Sequence, residues 1–220
     1  MGPSYKYTLD GNLDEELIKN SGIFHEFTKV KSEDLIEGHL YNHSFQMAET
    51  NLWYHKRKDD DRPWRDSDRG EAYSYIFKGL FFVGKIPQKF PTSIWILSKD
   101  HPKVHPVSRV RDGWQKVRVD HSAFRLEYDV YAEDKEIAQQ ILQSSTLDTI
   151  METKEKVVDP NMRLELSFQQ NNVYLSISTI KELFEPPVET PVTDKEDFMA
   201  NFKYLVNTTG LIQQLTLAKP

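Results

Sequence analysis

Residues Tyr73 to Ile86 constrain this chain more than any other stretch. Up to Phe77 the pattern alternates, with Tyr73, Tyr75 and Phe77 sharing one face. From Leu80 to Val83 apolar side chains follow one another without a break, the pattern of a strand covered on both faces. Gly79 and Gly84 flank that run, where a bulge or a close backbone approach is expected.

Further β signals surround this strand. Leu35–Leu40 and Ser44–His55 read as strands joined at Tyr41-Asn42-His43, with Phe45, Met47, Leu52 and Trp53 supplying buried contacts. Ile94–Leu97 is a short buried strand fenced by Pro87, Pro91 and Pro102, and Gln115–Val119 and Leu126–Tyr131 make two more. The period then changes. Ile137, Ala138, Ile141 and Leu142 recur at helical spacing behind Asp134 as N-cap, and a second helix beginning at Ser145 turns Leu147, Ile150 and Met151 inward. Met162–Phe168 and Val173–Ile177 alternate around Asn171-Asn172 as a late hairpin, with Leu164, Leu166, Phe168, Val173, Leu175 and Ile177 on its buried face. Thr193 and Glu196 form a capping box ahead of Phe198, Phe202, Leu205 and Val206, a helix running to about Asn207. At the other end the first twelve residues are polar and expected to fray, and Asn12 or Asp14 caps a short helix through Leu17 and Ile18 that stops before Gly22.

Strands first, then helices and a late hairpin, give an α+β fold: a mostly antiparallel sheet of about seven or more strands with three or four helices on one face. Residues 1–20 read as a polar N-terminal segment with a short helix, and 21–217 as a single α+β domain in which 134–217 is able to pack as a sublobe.

Composition narrows the function. Lys and Arg number 28 against 34 Asp and Glu, a net charge of −6, which argues against bulk nucleic-acid binding. The chain has no cysteine, so disulfides, thiolate metal sites and cysteine nucleophiles are excluded. No apolar run approaches the roughly 18–20 residues of a membrane-spanning helix, and Met-Gly-Pro-Ser-Tyr-Lys is not the start of a secretory signal. Neither GxSxG, GxGxxG nor HExxH occurs, and nine glycines in 220 residues leave few places for a backbone phosphate cradle. No catalytic residue, metal site or cofactor is therefore assigned.

Two charged segments are the candidate binding surfaces. In Lys56–Arg69, Trp64 can anchor in a partner pocket while Arg62 and Arg65 pair with carboxylates. The three consecutive aspartates Asp59, Asp60 and Asp61 lack the alternate spacing of a calcium loop. The bland reading is a solvated loop between strands. In Lys99–His121, six basic residues including Arg109, Arg111, Lys116 and Arg118 face three acidic ones, a basic surface suited to an anionic ligand or lipid headgroup. Lys116 and Arg118 point the same way on their strand; the bland alternative is an ordinary solvent face. The histidine pairs do not build a metal site: His39 and His43 split across a hairpin, and Pro102 and Pro106 forbid a helix through His101 and His105. Glu37, Glu49, Glu127 and Asp129 lie on predicted strands, where two of them can converge in a cleft as acid and base or simply face solvent. The aromatic cluster of Tyr73, Tyr75, Phe77, Phe81 and Phe82 reads as core, although Trp53, Tyr54 and Tyr73 can line a cleft if the sheet is open there.

Several segments fall in a familiar order: Ser21-Gly22-Ile23-Phe24, Glu33-Asp34-Leu35-Ile36-Glu37-Gly38, Ile76-Phe77-Lys78-Gly79-Leu80-Phe81-Phe82, Tyr131-Ala132-Glu133-Asp134, Leu166-Ser167-Phe168 with Val173-Tyr174-Leu175, and Leu183-Phe184-Glu185-Pro186. Together, from Ser21 to Leu217, they resemble the bacterial family called domain of unknown function 3137. The resemblance implies no reaction, cofactor or catalytic residue. Because members often carry hydrophobic segments ahead of this domain, it implies a soluble part of a protein that is either cytoplasmic or tethered to a membrane. The reading that results is a non-enzymatic interaction module acting near a membrane on a protein partner or an anionic lipid headgroup. The alternatives are a carboxylate-based hydrolase and a small-ligand sensor with an aromatic-lined cleft.

Overall fold

The computed structural model describes residues 4–24, 27–40, 43–55, 73–87, 89–100, 113–157, 162–179, 207, 210 and 211. In chain order these form β1 (Ser4–Thr8), α1 (Glu15–Ser21), β2 (Lys29–Leu40), β3 (His43–His55), β4 (Tyr73–Lys85), β5 (Ile94–Ser98) and β6 (Gln115–Val117). There follow α2 (Ser122–Glu127), β7 (Tyr128–Ala132), α3 (Lys135–Ile141), α4 (Ser144–Val157), β8 (Leu164–Gln169) and β9 (Asn172–Ser178). The strands make one antiparallel sheet in the order β1-β2-β3-β4-β9-β8-β5-β7-β6. The fold is α+β and mostly sheet. The late hairpin lies at the centre of the sheet, between β4 and β5.

Alternation sorts the side chains onto two buried faces. Phe45, Met47, Leu80, Phe82, Ile94, Ile96, Leu164, Leu166, Phe168, Val173, Leu175 and Ile177 meet Phe124 of α2, Ala138 of α3, and Leu147 and Ile150 of α4. Ala48, Leu52, Phe77, Phe81, Val83, Trp95, Leu97 and Tyr174 meet Ile18 of α1 on the opposite face. Helices therefore cover both faces, not one. The uninterrupted run Leu80–Val83 requires this, because its even and odd residues point in opposite directions and all are buried.

Local chemistry fixes α1. The Asp14 carboxylate accepts from the Glu16 amide as N-cap, and Gly22 ends the helix in the left-handed region at φ 67°. That turn aims the Ser21 carbonyl into the sheet, where it accepts from Trp95 Nε1 at 3.0 Å, Ser167 Oγ at 2.6 Å and Gln169 Nε2 at 3.4 Å. Trp95 in turn stacks on Trp114, with ring centroids 3.8 Å apart.

Three further differences from the sequence reading have local causes. Residues 4–8 do not fray: β1 pairs with β2, Tyr5 packs 6.1 Å from Phe45, and the Tyr7 hydroxyl donates to Asp34. Leu126 and Glu127 close α2 rather than opening a strand, because His121 caps residues 122–127 into a helix, its Nδ1 accepting from the Phe124 amide at 3.0 Å. Leu126 is consequently exposed, whereas Tyr128 and Val130 of β7 are buried. In β4 the predicted common face of Tyr75 and Phe77 is broken. Leu52 pairs with Phe77 and Trp53 with Tyr75, so Ile76 is an extra residue opposite β3. The bulge sends both Ile76 and Phe77 into the α1-side core and leaves Tyr75 exposed.

The other elements follow their signals. Asp134 Oδ1 accepts from the Ile137 amide at 2.9 Å. All six predicted core residues of the β8–β9 hairpin are buried. Its register centres on Gln170-Asn171, one residue earlier than expected, with Gln170 at φ 55°. The charged segment 56–69 and the predicted helix from Thr193 to Val206 lie outside the described residues.

Candidate functional site

At the end of the sheet where β2 meets β3, the α1-side face opens into a groove of about 600 Å³. Two cross-strand rows form its floor. Lys6, Glu37, Gln46 and Val83 are aligned by the β1–β2–β3–β4 register, and His39, Ser44, Lys85 and Asn172 by the same pairings two residues further on. Tyr5, Gly38 and Phe45, from the row between, also border the groove, with Asn171 at one end and Leu17 of α1 as a wall. Short α1 covers the face only as far as this wall, so polar rows that alternation brings to a half-covered face stay open to solvent.

The polar groups of the groove are mostly uncharged or already matched. Lys6 Nζ lies 3.6 Å from Glu37 Oε1. Asn172 Nδ2 donates to the Tyr174 hydroxyl at 3.1 Å, and burial pushes the Tyr174 pKa up. Lys85 is exposed. Sequence reasoning noticed Glu37 and His39 singly and missed the rest, because Lys6, Ser44, Lys85 and Asn172 share no motif. Only strand register gathers them.

Of the sequence-predicted binding residues, Trp64, Arg62, Arg65, Arg109 and Arg111 lie outside the described residues. Lys116 and Arg118 are exposed while Val117 and Val119 are buried, although β6 itself ends at Val117. Lys116 Nζ is 2.8 Å from Asp129 Oδ1, a pairing that raises the lysine pKa. Arg118 borders a smaller groove of about 280 Å³ with Gln139 and Ser144, and its carbonyl accepts from Gln139 Nε2 at 2.8 Å.

The four strand carboxylates weighed as a convergent acid–base pair are dispersed. Glu37 pairs with Lys6, Asp129 with Lys116, and Glu127, the last residue of α2 rather than part of a strand, with Lys154 of α4. Glu49 is buried, in register with Glu33 and Leu80. His39 and His43 sit on β2 and β3 respectively. Burial lowers the His43 pKa, and its Nδ1 has no hydrogen-bond partner. Trp53 packs on Tyr75 at 5.2 Å and lies under the Lys29 ammonium at 5.5 Å. Among the described residues, no group of three or more His, Asp or Glu is placed to hold a metal ion.

The model of the family described as "Protein of unknown function (DUF3137)" matches residues 75–217. The chain belongs to that family. The DUF3137 match takes in β4 through β9, hence Val83, Lys85, Asn171 and Asn172 of the groove. Strands β1–β3 and helix α1, which supply the remainder, precede the matched segment. No curated protein matches the chain. Among solved structures, the crystal structure of the mycobacterial trehalose monomycolate transport factor A, TtfA, is similar over 98% of this chain and 89% of that one, with a TM-score of 0.51 and 8% identity. At that identity the likeness establishes a shared fold. No helix among the described residues of this DUF3137 member is long and apolar enough to cross a membrane.

Proposed function

We propose that this chain is a non-enzymatic interaction module that works beside a membrane and contacts its target through the α1-side groove. The observation that carries the reading is the groove itself. A rigid floor of paired strands presents His39, Ser44, Gln46 and Lys85, while its carboxylate, Glu37, is held by Lys6. Such an arrangement recognises a ligand and leaves no free acid–base pair on the floor. The whole-chain likeness to TtfA supports the membrane side of the reading, since that protein is titled a transport factor for trehalose monomycolate.

Of the two expected targets, a protein and an anionic lipid headgroup, a lipid headgroup suits an open, half-polar trough better, since protein contact surfaces are broader. Basic residues Arg109 and Arg111, with Trp64, Arg62 and Arg65, remain proposed auxiliary contacts to the same membrane or to a protein on it.

Flotation with vesicles of bacterial total lipid extract tests the proposal. The chain should float with the vesicles, and Ser44→Trp, which fills the groove, should abolish flotation without lowering the melting temperature. Failure of the unaltered chain to float, or flotation indifferent to Ser44→Trp, would overturn it.

A further inference from the structure

The donor and acceptor pattern of the groove indicates what part of a headgroup it holds. A phosphate only accepts hydrogen bonds from a protein, so a phosphate site gathers donors and cations. This groove does otherwise. Its two lysines face one glutamate, and Lys6 is matched to that Glu37 at 3.6 Å. Glu37 accepts only, Ser44, Gln46 and Asn171 both donate and accept, and the His39 ring adds two nitrogens that exchange hydrogen bonds. Asn172 gives its Nδ2 to the Tyr174 hydroxyl at 3.1 Å, which leaves its Oδ1 as an acceptor.

Mixed donors and acceptors in two rows match hydroxyl groups, each of which must also donate and accept. Leu17 and Val83 add aliphatic surface for the C–H face of a ring. With strands about 4.8 Å apart, each four-strand row spans about 14 Å, the first from β1 to β4 and the second from β2 to β9, and the two stand about 7 Å from each other. That footprint takes a ligand of two sugar rings rather than a lone phosphate.

We infer that the groove binds a neutral polyhydroxylated ligand, a sugar or the sugar of a glycolipid headgroup. The inference rests on the binding role proposed above and sharpens it.

Calorimetric titration with maltose, and flotation with phosphatidylcholine vesicles containing either digalactosyldiacylglycerol or phosphatidylglycerol, test it on the full chain. The expected result is saturable binding of maltose or retention on the galactolipid vesicles, little changed by added salt. The pair of substitutions Ser44→Ala and Gln46→Ala should weaken it about tenfold, the loss of one or two hydrogen bonds. Maltose binding alone identifies a free sugar, and retention on galactolipid vesicles a glycolipid; both support the inference. Retention only on phosphatidylglycerol vesicles, lost in salt and with Lys85→Ala, overturns the sugar inference and leaves the membrane role standing. No binding in any arm overturns both.

Discussion

On the face that carries α2, α3 and α4, aliphatic and aromatic side chains from β3 across to β6 form one continuous buried cluster with the helices, while Tyr5 and Tyr7 at the β1 edge stay half exposed. On the opposite face the helix among the described residues is the seven-residue α1, whose C-terminal end is tied down where the Ser21 carbonyl meets Trp95, Ser167 and Gln169. Past Leu17 of this helix, the polar rows at the β1 end of the sheet form the groove. The difference separates two tasks. The closed face holds apolar burial that stabilises the fold, and the partly covered face leaves donors and acceptors free to meet a ligand. Substitutions on the first should cost stability, and those at the groove should cost binding.

The largest effect is expected at the closed face. Phe168 is fully buried and packs edge-on to Phe90 at 5.0 Å, so Phe168→Ala should destabilise by about 3–5 kcal/mol in urea unfolding. A cost below about 1 kcal/mol would mean that this core is far looser than its burial indicates.

At the fastening of α1, Gly22 has φ 67°, and a Cβ there would come within 2.5 Å of the Trp95 ring. Gly22→Ala should therefore cost about 1–3 kcal/mol and perturb the near-ultraviolet signal of the stacked tryptophans. An unchanged tryptophan signal would break the claim that this turn seats α1 against Trp95.

Tyr128 offers an effect of opposite sign. Its hydroxyl is buried on the helix side without a hydrogen-bond partner, and burial pushes its pKa far up. Tyr128→Phe removes that unsatisfied group and should raise stability by up to about 1 kcal/mol; a loss would reveal a partner for the hydroxyl.

Alkaline pH probes the edge of the sheet. Partial burial, then the hydrogen bond to Asp34 and nearby carboxylates, push the Tyr7 pKa from 10.0 up to about 12. The native chain keeps this proton longer than the unfolded chain does. The contribution is complete below pH 10 and is lost as pH rises towards 12. Tyr7→Phe should flatten the fall of stability across that window, by a modest amount because the ring is half exposed. An identical alkaline profile in the variant would remove Tyr7 from the account.

The smallest stability effect belongs to the groove. Lys85→Glu should shift unfolding by less than about 0.5 kcal/mol, since the side chain is exposed. A larger loss would show that the groove rows are part of the stabilising core after all.

Much of the architecture is legible in the sequence because it is encoded locally. The alternation from Leu164 to Ile177 gives a hairpin with its buried face correct residue by residue. Asp14, Gly22 and Asp134 mark helix ends where the caps occur, and Leu80–Val83 announces a strand covered on both faces. The misreadings arise where a local pattern is overruled by a neighbour. β1 is short and polar in composition, and exists because β2 offers it an edge. Leu126 and Glu127 run into the alternation of β7 and read as its start, yet His121 caps residues 122–127 into a helix and also reaches Asp148 of α4 at 2.9 Å.

The candidate site shows the same division more sharply. Periodicity and capping depend on residues a few positions apart, so the sequence by itself determined the α+β class, the late hairpin and the doubly covered strand. Register, bulges and the reach of α1 depend on residues tens of positions apart. Only the tertiary structure decided that Lys6, Glu37, Gln46 and Val83 form one row, and His39, Ser44, Lys85 and Asn172 another. It also decided that Ile76 slips the phase of β4 and that a short helix stops before it covers them. A polar side chain on an alternating strand looks the same in sequence whether it meets bulk water or the floor of a groove, because the difference lies in what packs beside it.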